Sequence, residues 1–206
     1  MVIDRLFAYL IPRRDRVISG FKIVYLTILV IIAVGARSIY HGDRQAVFFY
    51  RLGVDFGRVA LVLYIITLLP GIGQRFGLRH KLLSILRIFR RYLGISMYLL
   101  VLAHFLLVKV VITLAAKQLV TSRLFEVFGF IALIMLLLLF ITSNDFSLTV
   151  LDIWWYRLHK LTYLIMGLIF LHVALQRISL WTILMVITLI LMIGSWFWKG
   201  RGKAVS

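Results

Sequence analysis

The sequence predicts an all-α integral membrane protein: a bundle of six transmembrane helices, both termini cytoplasmic, with a short amphipathic helix at the amino end. Three observations carry this reading. The 206 residues are 63% hydrophobic, with a mean hydropathy of +1.05. Apolar runs such as Phe125 to Ile141 hold no charge after Glu126, and the basic residues collect between such runs. A soluble domain of this length has too little interior to hide so much apolar surface. A spanning helix needs about 20 residues, and six of them fit the length with short connections.

Taken in order, the amino-terminal stretch is basic (Arg5, Arg13, Arg14, Arg16) and carries its own apolar run from Leu6 to Ile11. That combination suits a short helix lying on the inner leaflet. The first span is placed at 17–37. Its Val34-Gly35-Ala36 resembles a signal-peptide cleavage site, but the long basic region before it favours a retained membrane helix. A polar connection from Ser38 to Phe56, with His41, Asp43 and Asp55, faces outward. The second span, 57–73, ends at Pro70-Gly71. Gly71 to Gly77 loosely resembles a dinucleotide fingerprint, but its spacing is wrong and it follows a membrane helix instead of a strand. The remaining spans are placed at 91–111, 125–142, 156–176 and 180–198. Trp154, Trp155, Trp196 and Trp198 fall at helix ends, where indoles anchor helices at the interface. No Pro- or Ser-rich linker interrupts the chain, so residues 1–206 read as a single membrane domain.

A formal charge of +17 would point to nucleic acid in a soluble protein. Here it reports orientation, and no nucleic acid is implied. With the amino terminus inside, 16 of the 24 Lys and Arg fall on the inner side. The cluster Arg75, Arg79, Lys81, Arg87, Arg90 and Arg91 weighs most because it occupies one short loop, and it suits anionic lipid headgroups of the bilayer or an acidic partner. Cysteine is absent, which excludes disulfides, iron–sulfur clusters, thiolate-ligated haem and covalently attached haem. Any metal must be held by His or oxygen.

The chemistry lies in three histidines within apolar segments: His104, His159 and His172. Ionisable side chains at membrane depth are rare and usually functional. With the inner boundaries at Arg91 and Tyr156, a rise of 1.5 Å per residue puts His104 roughly 20 Å and His172 roughly 24 Å from the inner face. Two imidazoles at matching height can clamp one metal from opposite sides. His159, about 5 Å inside the boundary, belongs to another layer. A closed zinc site wants about four ligands, whereas the neighbours here are Leu, Ile, Val and Phe. Haem needs only two axial imidazoles and is stabilised by apolar walls, so bis-His haem is the best match. The alternative is that each His bonds a neighbouring helix. Thirteen residues at about 100° each set His159 and His172 roughly 140° apart on an ideal helix. Either the helix bends or bulges, as at Gly167, or His159 serves a cofactor displaced sideways, or only His172 is a ligand. His41 and His80 lie in polar loops and read as solvated.

Arg90-Arg91-Tyr92-Leu93-Gly94 leading to His104, then Thr142-Ser143, Trp155-Tyr156-Arg157-Leu158-His159 with Tyr163, and Leu171-His172 together resemble the ferric-reductase-like transmembrane family. Gly57-Arg58-Val59-Ala60-Leu61 and the stretch from Thr67 to Pro70 add to the likeness, which spans roughly 50–176. Within the family the chain is most similar to the haem-binding membrane subunits of bacterial periplasmic methionine sulfoxide reductase systems. The resemblance implies a multi-pass protein of the bacterial inner membrane holding one or two haem b groups. It implies electrons taken from a cytoplasmic flavin reductase or the quinone pool and passed to a periplasmic reductase subunit. It assigns His104 and His172 as axial ligands of an outer haem and His159 as a ligand on the inner side. Where relatives with two bis-His haems carry a further His, this chain has Arg90 and Arg91. Three roles therefore stay open: His159 binds an inner haem alone, His80 reaches in, or His159 serves an FMN or quinone site. Arg58 and Arg91 are either partners of haem propionates or interfacial anchors. Two rival functions remain: the membrane component of a ferric or cupric reductase, and a small transporter or channel subunit without haem. The helix interiors offer the last of these few polar groups for a path.

Overall fold

The computed structural model describes residues 2–116 and 123–201, which form helices and short turns with no strand among them. Six helices are long and apolar enough to cross a membrane: Arg14–His41, Ala46–Arg75, Lys81–Ala116, Leu124–Ile141, Ile153–Gln176 and Leu180–Trp198. The chain is a multi-pass membrane protein. It forms two compact units, Met1–Val120 and Thr121–Ser206, with three spans in each. Lys117 and Lys203, counted in the charge reading of orientation, lie outside the described residues.

The first unit opens with the short helix α1 (Val2–Leu10), followed by α2 (Arg14–His41) and α3 (Ala46–Arg75). α2 ends in a Schellman turn. Gly42 takes φ +68, a conformation that favours glycine, and Asp43 N–H reaches back to the Ser38 carbonyl at 3.0 Å. Only residues 42–45 separate the helices, so most of the polar connection expected from Ser38 to Phe56 is helical. The apolar side chains interleaved there decide the matter. Phe49 is buried and packs with Ile39, Leu107 and Val111.

Pro70 does not end α3, which runs on to Arg75. A proline inside a helix removes one N–H, here the one opposite the Ile66 carbonyl. A membrane helix tolerates that when its surroundings hold it, and Leu68, Pro70 and Ile72 are all buried. The third span also starts earlier than expected. α4 (Lys81–Phe105) is capped by His80, whose Nδ1 accepts the Leu82 N–H at 3.3 Å. Only Phe76 to His80 forms the connection, so the basic cluster sits mostly on helix. The span of 36 residues measures roughly 54 Å at 1.5 Å per residue, against a hydrocarbon core of about 30 Å. Its charge is concentrated in the first three turns, with Lys81, Arg87, Arg90 and Arg91, and the apolar part follows. Asp4 of α1 holds the Lys81 ammonium at 2.6 Å, and that hydrogen bond draws the Asp4 carboxyl down to about 2. Phe21 against Phe89 (6.3 Å) and Tyr92 (5.6 Å), with Tyr25 Oη donating to the Tyr92 carbonyl at 2.9 Å, sets the start of α2 beside the same region of α4.

After α4 comes one π turn, Leu106–Val110, and then α5 (Val111–Ala116). A π turn winds less per residue than an α turn. It keeps Ala103, Leu107 and Val111, spaced by four and all buried, on one face. Leu107 is fully buried and fills the space left by Gly35 and Gly53.

The second unit contains α6 (Leu124–Ile141), α7 (Asp145–Leu151), α8 (Ile153–Leu158), α9 (Leu161–Gln176) and α10 (Leu180–Arg201). Asn144 caps α7 by accepting the Ser147 N–H at 2.7 Å. The fifth span is not one ideal helix. It is interrupted at His159 and Lys160, where Thr162 and Tyr163 N–H turn to carbonyls three residues back. Of the alternatives the sequence left open, an irregular helix is observed, with the interruption at His159 and Lys160 and Gly167 within α9.

Asp152, between α7 and α8, has φ 42 and ψ −115, the first central position of a type II′ turn, which favours glycine. Asp152→Gly should raise the melting temperature of the detergent-purified protein by about 2–4 °C, corresponding to relief of about 1 kcal/mol of strain, in a thermal unfolding scan.

Candidate cofactor site

In the first unit, α3 and α4 pair as a hairpin, and His104 stands on the last turn of α4 facing α3. Its Nδ1 lies 2.9 Å from the Gly53 carbonyl oxygen. A carbonyl only accepts, so Nδ1 carries the proton and Nε2 carries the lone pair. Gly57 lies one turn further along α3. A Cβ there would sit 2.8 Å from His104 Nδ1, 3.0 Å from Cγ and 3.1 Å from Cε1. Any larger residue would push the ring off the helix.

The second unit repeats the arrangement. α6 and α9 pair, and His172 on α9 donates Nδ1–H to the Phe125 carbonyl at 2.7 Å. A Cβ on Gly129 would sit 2.5 Å from His172 Nδ1 and 2.8 Å from Cε1. The Phe125 ring flanks the imidazole with centroids 5.7 Å apart. In both hairpins the acceptor is residue i of the first helix, the glycine is i+4, and the histidine comes from the returning helix.

His159 is held differently. Its ring stacks on Trp155, with centroids 3.9 Å apart and planes 26° from parallel. Trp155 Nε1–H donates to the Thr142 carbonyl at 2.8 Å, which fixes the indole against the end of α6. Thr142 Oγ1 gives its proton to the Leu138 carbonyl at 2.7 Å, and His159 Nε2 lies 3.4 Å from that hydroxyl. This long contact lies beside the stacked ring and does not choose the His159 tautomer, in contrast to the carbonyl bonds of His104 and His172.

Of the other residues singled out in the sequence, Arg58 pairs with Asp55 at 2.7 Å on the exposed side of α3. Arg91 is part-buried on α4. His80 is a helix cap and exposed, and His41 closes α2 against Tyr40. Thus His104, Arg58 and Arg91 belong to the first unit, and His159 and His172 to the second. Among the described residues no group of three or more His, Cys, Asp or Glu gathers as a metal cluster. The sequence marked Gly57, Thr142 and Trp155 as part of the family likeness without showing what they do, and it left Gly129 unremarked. Signals existed for two of them: Gly129 is the lone glycine of an 18-residue apolar helix, and Trp155 lies one helical turn before His159.

A family model described as "Ferric reductase like transmembrane component" matches residues 56–170, more than half of the chain. The chain belongs to this ferric-reductase-like transmembrane family and is a membrane electron-transfer component. No curated protein and no solved structure matches it. Haem is the group such a scaffold implies, and the residues present fit it. Each hairpin offers a single imidazole with its Nδ1 proton engaged and its Nε2 lone pair defined, the donor set axial ligation requires.

If Trp155 is the shelf for His159, its ring and its N–H should contribute separately. Trp155→Phe keeps an aromatic face and should cost about 1 kcal/mol, a loss of about 2–4 °C, whereas Trp155→Ala should cost at least twice that in the same thermal unfolding measurement.

Proposed function

We propose that this chain is the b-type haem subunit of a transmembrane electron-transfer system in a bacterial inner membrane. It takes electrons from a cytoplasmic flavin reductase or from quinol and delivers them to a periplasmic reductase, a methionine sulfoxide reductase as in MsrQ (YedZ) systems. The observation that carries the reading is the twinned imidazole device: His104 on the Gly53 carbonyl and His172 on the Phe125 carbonyl. When bound, haem supplies a one-electron iron couple within an apolar setting of low dielectric.

The chain's own residues do the rest. His104 and His172 would hold the haem through Nε2, each imidazole stiffened and made more basic by its carbonyl hydrogen bond. Ligation by two imidazoles would favour electron transfer over oxygen chemistry. His159 belongs to a separate layer toward the inner face and would serve a second haem, an FMN or a quinone. Arg91 and Arg58 are the guanidinium partners for propionates, Arg58 by exchanging its Asp55 contact. The basic ends of α2, α3 and α4 lie on the cytoplasmic side, with both chain termini. The chain acts as a relay, and terminal catalysis belongs to the periplasmic partner.

An absorption spectrum of the detergent-purified protein, oxidised and dithionite-reduced, should show sharp low-spin b-type bands, with haem per chain measured as the pyridine haemochrome. His104→Ala and His172→Ala should each abolish the same spectral component, and His159→Ala should remove a different one or slow reduction while sparing it. Colourless protein from haem-replete cells, or full haem retention in all three variants, would overturn the proposal. For orientation, a reporter active only in the periplasm should be silent when fused to the carboxyl terminus; activity there would mean the inverted topology.

A further inference from the structure

We infer that Gly57 and Gly129 are positioning residues, each the absent side chain that allows a histidine to share a backbone carbonyl already used by its own helix. The inference rests on the haem reading for its consequence at the iron, and on the geometry alone for the coupling between glycine and histidine.

A carbonyl oxygen has two lone pairs. In an α-helix the carbonyl of residue i accepts the N–H of residue i+4, so one lone pair of Gly53 is directed to Gly57 and one of Phe125 to Gly129. Here each imidazole approaches the second lone pair across residue i+4, where a Cβ would otherwise project. At both positions that residue is glycine, and at both an added Cβ would meet the imidazole at its Nδ1, at 2.8 and 2.5 Å. The bonds enabled are short, 2.9 and 2.7 Å. Gly35 and Gly73 face aromatic or aliphatic carbons, and Gly20, Gly94 and Gly167 have nothing within 4 Å. A bulky residue at 57 or 129 would therefore cost the Nδ1–H its acceptor, free the ring to rotate, and loosen the choice of Nε2 as the ligating nitrogen.

A double-substitution cycle on the full-length protein tests the coupling without reference to haem. Gly57→Ala should lower the melting temperature by about 5 °C when His104 is present and by no more than about 1 °C in the His104→Ala background, because the methyl then meets no ring. Gly129→Ala with His172→Ala should behave alike, and Gly167→Ala, whose methyl meets nothing within 4 Å, serves as the control that loses no stability. Equal losses in both backgrounds, including failure to fold in both, would overturn the inference; failure to fold only with the histidine present supports it. In haem-bearing protein, Gly57→Ala and Gly129→Ala should each shift the low-spin electron paramagnetic resonance g-values and the midpoint potential, whereas Gly167→Ala leaves them in place. Unchanged spectra with unchanged melting would also overturn it. Wild-type protein lacking haem would sink the haem reading, while the melting cycle would still decide the role of the glycines.

Discussion

A transmembrane helix in lipid has committed every backbone N–H and most of its carbonyl capacity to itself. What it can lend a neighbour is the second lone pair of a carbonyl, provided the residue above that carbonyl is small enough to expose it. The bonds from His104 to Gly53 and from His172 to Phe125 use this single polar resource. They solve two problems together. A part-buried imidazole gains the partner that low-dielectric surroundings demand, and its tautomer is chosen without a carboxylate, which would be costly at that depth.

The packing of each hairpin follows from that requirement. In the first unit the returning helix must approach α3 closely enough for a ring to reach a backbone atom, and Gly53 and Gly57 provide the clearance. The π turn directly after His104 then keeps Leu107 and Val111 on the face that continues the contact. In the second unit Gly129 does the same work between α6 and α9, while the interruption at His159 sets that residue apart from the regular helix carrying His172. The two histidines of the fifth span therefore do not lie on one ideal helix, and the offset of roughly 140° expected for such a helix does not apply to them.

Charge is organised around the opposite end of the first unit. Asp4 and Lys81 tie α1 to the start of α4, the aromatic group of Phe21, Phe89 and Tyr92 seats α2 there, and Arg75 at the end of α3 with Arg87, Arg90 and Arg91 in the first turns of α4 belong to the same end. A cationic end facing a cytoplasmic surface accords with the orientation proposed, and it is the side from which reducing equivalents would arrive.

Much of this protein was determined by the sequence alone. Six spans follow from apolar run length, because lipid leaves helix as the only way to satisfy a lone backbone segment. Three histidines within apolar segments and the absence of cysteine pointed the chemistry toward imidazole before any contact was known. Only tertiary structure decided where helices stop. Pro70 and the polar stretch before Phe56 looked like breaks, but burial of Phe49, Leu68 and Ile72 carries the helices through them. Likewise, glycines 57 and 129 acquire meaning only when a second helix brings a ring to their surface, since the distance from a missing side chain to an imidazole on another helix is set by packing and leaves no local pattern to read.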